Sequence, residues 1–102
     1  MSDPQPVLAA LADPTRRHIY ELLNSKGPAS ASQLATEMPI SRQAVSKHLG
    51  LLDTAGLVER AASGREVVYS ARVEALTDVA SWLEKVSHDW DARLGRLERS
   101  FE

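Results

Sequence analysis

Residues 41–58 read SRQAVSKHLGLLDTAGLV, and this stretch decides the fold. Val45, Leu49 and Leu52 fall four and three apart, which puts them on one face of an α-helix. Ser41 is a good N-cap, and Ile40 before it can staple onto Val45 at the fourth helical position. Ala55-Gly56 closes the segment, with glycine supplying a left-handed C-terminal turn. A helix to about Thr54 follows. Its other face carries Arg42, Gln43, Ser46 and Lys47, donor-rich side chains without an evident use in a core.

Working towards the N-terminus, Ser30-Ala-Ser-Gln33 is a capping box that opens a shorter helix, expected to bury Leu34, Ala35 and Met38. Pro39 disfavours helical backbone at Met38, so that helix must stop there. Two helices so closely joined make a helix-turn-helix over 30–54. Further upstream, Asp13-Pro14 pairs an N-cap with proline at the first helical position, and Gly27-Pro28 ends the helix bearing Ile19, Leu22 and Leu23. A short helix from Val7 to Leu11 precedes it.

Downstream the period changes. Leu57–Ala61 and Glu66–Ala71 are β-prone, with Gly64 in the intervening loop, and predict a two-stranded hairpin, or wing, over 57–71. A long helix is expected over 73–101. Leu76, Val79, Leu83, Val86, Trp90, Leu94, Leu97 and Phe101 form a heptad-like seam, with one four-residue stutter at Trp90. A small domain cannot cover so long a stripe, so a paired helix in a dimer is favoured over a plain core helix.

The chain has 102 residues and reads as one domain spanning 1–102. It has no cysteine, which removes disulfides, thiolate metal sites and cysteine nucleophiles. No run approaches a membrane span and MSDPQPVLAALAD lacks a basic leader region, so a cytoplasmic protein without a membrane partner is expected. Net charge is −2, but its distribution is uneven. Residues 41–65 carry Arg42, Lys47, Arg60 and Arg65 against Asp53 and Glu59, whereas residues 66–102 are acidic on balance. A phosphate backbone responds to the facing surface and not to the total.

That local excess gives the polar helix face a use. The second helix of a helix-turn-helix enters the DNA major groove. Arg42 can pair with guanine O6 and N7, and Gln43 with adenine N6 and N7. Ser41, Ser46 and Lys47 suit phosphates or bases, and small Ala44 allows close approach. Residues 41–54 contain no Glu and one Asp, whereas an ordinary solvated face mixes both signs. Arg65 at the hairpin tip can reach the flanking backbone or minor groove. Arg16 and Arg17 begin a helix where the dipole does not favour cations, which leaves phosphate or a carboxylate as their partners.

The segments Leu11–Leu23, Pro39–Arg60 and Gly64–Ala71 together resemble the ArsR family of bacterial winged helix-turn-helix repressors, over nearly the whole chain. The S-x-x-x-x-S-x-H-L-x-x-L run from Ser41 to Leu52, followed by A-G-L-V, is specific at this spacing. The resemblance implies a mainly α fold with a two-stranded β wing and a long C-terminal dimerisation helix. It implies a homodimer joined through the first and last helices, with Leu8, Leu11, Leu83, Val86, Trp90, Leu94 and Leu97 at the interface. It further implies repression from an inverted-repeat operator, read as double-stranded DNA, with His48 added to the contacts at Arg42, Gln43, Ser46 and Lys47.

The chain departs from metal-sensing relatives. The cysteine pair is absent, and Ala75 and Thr77 stand where upstream ligands of the last-helix site are expected. His88 and Asp91 with Glu84 make a poor transition-metal set, so no metal or cofactor is expected. Trp82 and Trp90 are read as packing residues. No phosphate loop, nucleophile elbow or compact carboxylate pair supports catalysis. The rival reading is a dimeric protein-interaction adaptor with the same fold. An effector, if there is one, has no signature in these residues.

Overall fold

The computed structural model describes residues 3–100. In order these form α1 (Gln5–Ala12), α2 (Pro14–Lys26), β1 (Ala29–Ser30), α3 (Ala31–Ala35), α4 (Arg42–Thr54), β2 (Val58–Ser63), β3 (Glu66–Ala71) and α5 (Ala75–Ser100). The result is mostly helical with a small antiparallel sheet, a winged helix-turn-helix.

Capping sets the helix ends. The Asp13 carboxylate accepts the Arg16 N–H at 2.9 Å and opens α2. Arg16 and Arg17 then turn back across the junction. Arg16 Nε donates to the Ala10 carbonyl at 2.9 Å, and an Arg17 terminal nitrogen donates to the Leu11 carbonyl at 3.1 Å. These are end carbonyls of α1, where the dipole does favour cations. Main-chain oxygen is thus a third kind of partner, beyond the two the sequence suggested.

In α3 the capping box is complete: Ser30 Oγ accepts from Gln33 N at 3.2 Å and Gln33 Oε1 from Ser30 N at 2.8 Å. The helix is shorter than expected. After Ala35 the bonds tighten to i→i+3, with Glu37 N donating to Leu34 O and Met38 N to Ala35 O. Helix α4 starts where its sequence says, with Ser41 Oγ accepting from Ala44 N at 3.1 Å. It ends in a Schellman turn: Gly56 N–H bonds Asp53 O and Leu57 N–H bonds Leu52 O, both at 3.0 Å. Gly56 has φ 77°, a conformation that costs a side chain with Cβ.

Val45, Leu49 and Leu52 are fully buried, together with Ile19, Leu57 and Val58. Burying each such side chain is worth roughly 1.5–3 kcal/mol. This core bonds the recognition-type helix α4 rigidly to α2 and to the root of the wing.

The wing is the expected hairpin, β2 paired with β3 from Val58↔Ala71 to Ser63↔Glu66. Its inner strand has a second neighbour that was not expected. β1 pairs with β3 through Ala29↔Tyr69 and Ser30↔Val68, giving a three-stranded sheet in the order β1-β3-β2. Two residues carry no readable period, so only the folded chain reveals this strand. Ser30 therefore belongs both to the sheet and to the cap of α3, and it clamps the wing to the helix-turn-helix.

Helix α5 begins at Ala75, two residues later than expected. Ala75, Leu76 and Val79 pack on the core, and the helix then leaves it. Its 26 residues span about 39 Å at the α-helical rise. The Cα radius of gyration is 18.1 Å, against about 13 Å for a compact chain of this length.

Candidate nucleic-acid interface

The α4 positions separate cleanly. Ser41, Arg42, Gln43, Ser46 and Lys47 are exposed, while Ala44 is half-buried. Arg42 and Ser46 are one turn apart and share a stripe, and Gln43 and Lys47 share the adjoining one. Among the described residues, no ion pair or hydrogen bond engages the side chains of Arg42, Gln43, Ser46 or Lys47; the ion pair seen is Lys26–Glu37 at 2.7 Å, at the far side of α3. Ser41 differs, because its oxygen already caps the helix.

Arg65 is exposed in the turn of the wing, next to Gly64, whose φ of 63° makes that turn. The wing folds towards α4, so Arg42, Ser46 and Arg65 line a common groove of about 300 Å³. Ser30, Ala31, Ser32, Glu66, Val67 and Tyr69 complete its wall. Ser32, Glu66 and Tyr69 carry no sequence signal that would assign them to this surface. Their placement depends on the β1–β3 pairing, which carries no local signal.

His48 stands apart from that face. It is half-buried, and its Nδ1 is enclosed without a hydrogen-bond partner among the described residues. The Arg16 N–H is the first cause holding the Asp13 carboxyl below its ordinary range, with the Arg16 and His48 charges assisting against a desolvation that raises it. His48 thus differs from Arg42 and Gln43 in burial, one ring nitrogen being enclosed where those two side chains are exposed.

The apolar seam divides as its length requires. Leu11 packs on the chain's own core and Val86 is half-buried. Leu8, Leu83, Trp90, Leu94 and Leu97 are exposed, Trp90 and Leu97 by 55% each. The Arg93 guanidinium lies 5.5 Å from the centre of the Trp90 ring, a cation–π contact. Phe101, the last expected seam residue, lies outside the described residues. Among those described, no cluster of three or more His, Asp or Glu side chains is placed to hold a metal ion, and no helix is long and apolar enough to cross a membrane.

A helix-turn-helix with a clamped wing and an unpaired basic face is the architecture of a winged helix-turn-helix transcriptional regulator. A family profile described as a helix-turn-helix domain matches residues 11–61. The HTH-type transcriptional regulator Rv2034 of Mycobacterium tuberculosis is 42% identical over 76 residues, 74% of this chain and 70% of that protein. The transcriptional repressor SdpR of Bacillus subtilis is 34% identical over 77 residues, 76% of this chain and 84% of that protein. Among solved structures, an ArsR-like transcriptional regulator from Rhodococcus sp. RHA1 superposes with a TM-score of 0.82 at 43% identity, covering 94% of this chain and 90% of that one. Mb0332 from Mycobacterium bovis, described as a homodimeric winged helix-turn-helix DNA-binding domain, superposes with a TM-score of 0.65 at 26% identity, covering 83% and 78%. The chain belongs to the ArsR family of winged helix-turn-helix transcriptional regulators.

Proposed function

We propose that this protein is a homodimeric, sequence-specific repressor acting as one domain on an imperfectly palindromic operator in the cytoplasm. The observation that carries the reading is the exposed face of α4, where Arg42, Gln43, Ser46 and Lys47 have no partner among the described residues. Unpaired donors on a helix held rigidly by its buried side suit a major groove. Ser41, Ala44, His48 and Arg65 join the proposed contact surface, with His48 half-buried at its edge. Repression follows the relative SdpR, and the homodimer follows Mb0332.

The second copy covers the stripe on α5. Leu83, Val86, Trp90, Leu94 and Leu97, with Leu8 and Leu11 of α1, form the proposed dimer face. A two-fold axis then sets two α4 helices into successive major grooves about 34 Å apart. Selection of bound duplexes from a random-sequence library tests this reading. It predicts a consensus with two inverted half-sites one helical turn apart; an asymmetric consensus, or none, contradicts it.

A further inference from the structure

We infer that the groove between α4 and the wing is a seat for a single backbone phosphate, gripped from two sides by Arg42 and Arg65. This deepens the proposed DNA binding and rests on it. It also changes the part expected of Arg42, from reading guanine to holding the backbone.

Arg42, Arg65, Ser46, Ser32 and Glu66 are among the residues that line the groove. Arg42 and Ser46 form the α4 stripe that lines it, whereas Gln43 and Lys47 are absent from its lining and occupy the neighbouring stripe. An arginine turned towards the wing faces the strand flanking the major groove, while the next stripe faces the base edges. A guanidinium offers paired N–H donors that match phosphate oxygens, and hydroxyls add short-range donors. Both arginines lack an ion-pair partner among the described residues, even though Glu66 shares the groove. With two arginines and one carboxylate lining it, the groove keeps a net positive lining that an anion would neutralise, and duplex DNA supplies one at every backbone step.

The wall is rigid where it needs to be. Ser30 is fixed by the α3 cap and by pairing with Val68, so the inner wing strand cannot swing away from α4 without breaking the sheet. Glu66 makes the seat selective in number. Its carboxylate repels phosphate, so the two arginines together accommodate one anion against it and not a row of them.

Two measurements, on the full chain, test the seat. The first is DNA affinity of Arg42→Ala, Arg65→Ala, the double variant and Glu66→Gln, on a selected duplex and on a random one. Each arginine variant is expected to weaken both duplexes by the same factor, roughly tenfold, and to lower the salt slope by about 1. The double variant should lose less than the product of the two, because they share a phosphate. Glu66→Gln should tighten both duplexes, a gain that misfolding does not produce. Loss confined to the selected duplex for Arg42→Ala overturns the seat in favour of base reading, as does a fully multiplicative double variant. The second is an NMR titration of the DNA-free protein with inorganic phosphate. Saturable shifts at Arg42, Ser46 and Arg65, larger than at Gln43 and Lys47, are expected; uniform or absent shifts overturn the seat. If wild type binds no DNA while phosphate shifts the groove, the seat stands and the DNA reading falls.

Discussion

Tyr20 and Arg72, fifty-two residues apart, are joined by a hydrogen bond of 3.1 Å from the phenol O–H to the main-chain carbonyl. The bond ties α2 to the short link between the wing and α5, so the helix-turn-helix body and the long helix share a fixed joint. Tyr20→Phe keeps the buried ring and removes only this bond. A loss of about 1 kcal/mol is expected, read as a lower Tm at fixed protein concentration. The same residue predicts an alkaline limit. Burial, and then Glu74, raise the Tyr20 phenol above its ordinary value of 10.0. The folded chain thus holds that proton more tightly than the unfolded one, so the contribution is whole below about pH 10 and is lost as pH rises through the raised pKa. In Tyr20→Phe this alkaline step should be missing from a plot of Tm against pH.

Asp13 predicts the opposite flank. Its carboxyl is held below the ordinary 3.8, first by the Arg16 N–H. The stability it brings is therefore present above that value and lost as pH falls through the lowered pKa. Asp13→Asn keeps an acceptor at the N-cap without a titrating group. Thermal melts across the acid range should show a shallower acid-side loss for Asp13→Asn than for wild type.

Gln43 and Lys47 share a stripe but differ in chemistry. The Gln43 amide can make a paired donor–acceptor contact with one base, so Gln43→Ala should remove about 1–3 kcal/mol of discrimination at one operator position. The Lys47 ammonium is a point charge, and Lys47→Ala should weaken all duplexes alike. Competition binding with single-base operator variants separates the two. A preference unchanged in Gln43→Ala, or altered in Lys47→Ala, would reverse the assignment.

The α5 stripe predicts the state of assembly. Trp90→Glu with Leu94→Glu places two charges on an apolar face that the chain alone leaves half exposed. Sedimentation should show the wild type as a dimer and the double variant as a folded monomer, because Ala75, Leu76 and Val79 still anchor the helix. Identical sedimentation of the two would remove the stripe from the interface.

Much of this fold was legible because its signals are local. Ser41, Ser30, Asp13 and Gly56 act within a turn of their own positions, and their hydrogen bonds lie where the sequence places them. The periodic burial of Val45, Leu49 and Leu52 is equally local. What escaped was tertiary. Strand β1 is too short to have a period, and Arg16 and Arg17 find their partners on the preceding helix. The groove is the same case, since Ser32 and Glu66 meet Arg42 only through the sheet. The exposure of Arg42, Gln43, Ser46 and Lys47 was readable from the helical period; which of them face the wing was not.

Dimeric, sequence-selective DNA binding is tested most directly by a fluorescence-anisotropy titration of a selected duplex beside a random one, at two salt concentrations, with stoichiometry from sedimentation. A dimeric repressor should bind as two chains per duplex, with affinity falling steeply with salt and a preference for the selected sequence of about a thousandfold or more. Equal affinity for both duplexes, or a purified dimer that binds neither at low salt, would contradict it and point to a protein-interaction adaptor.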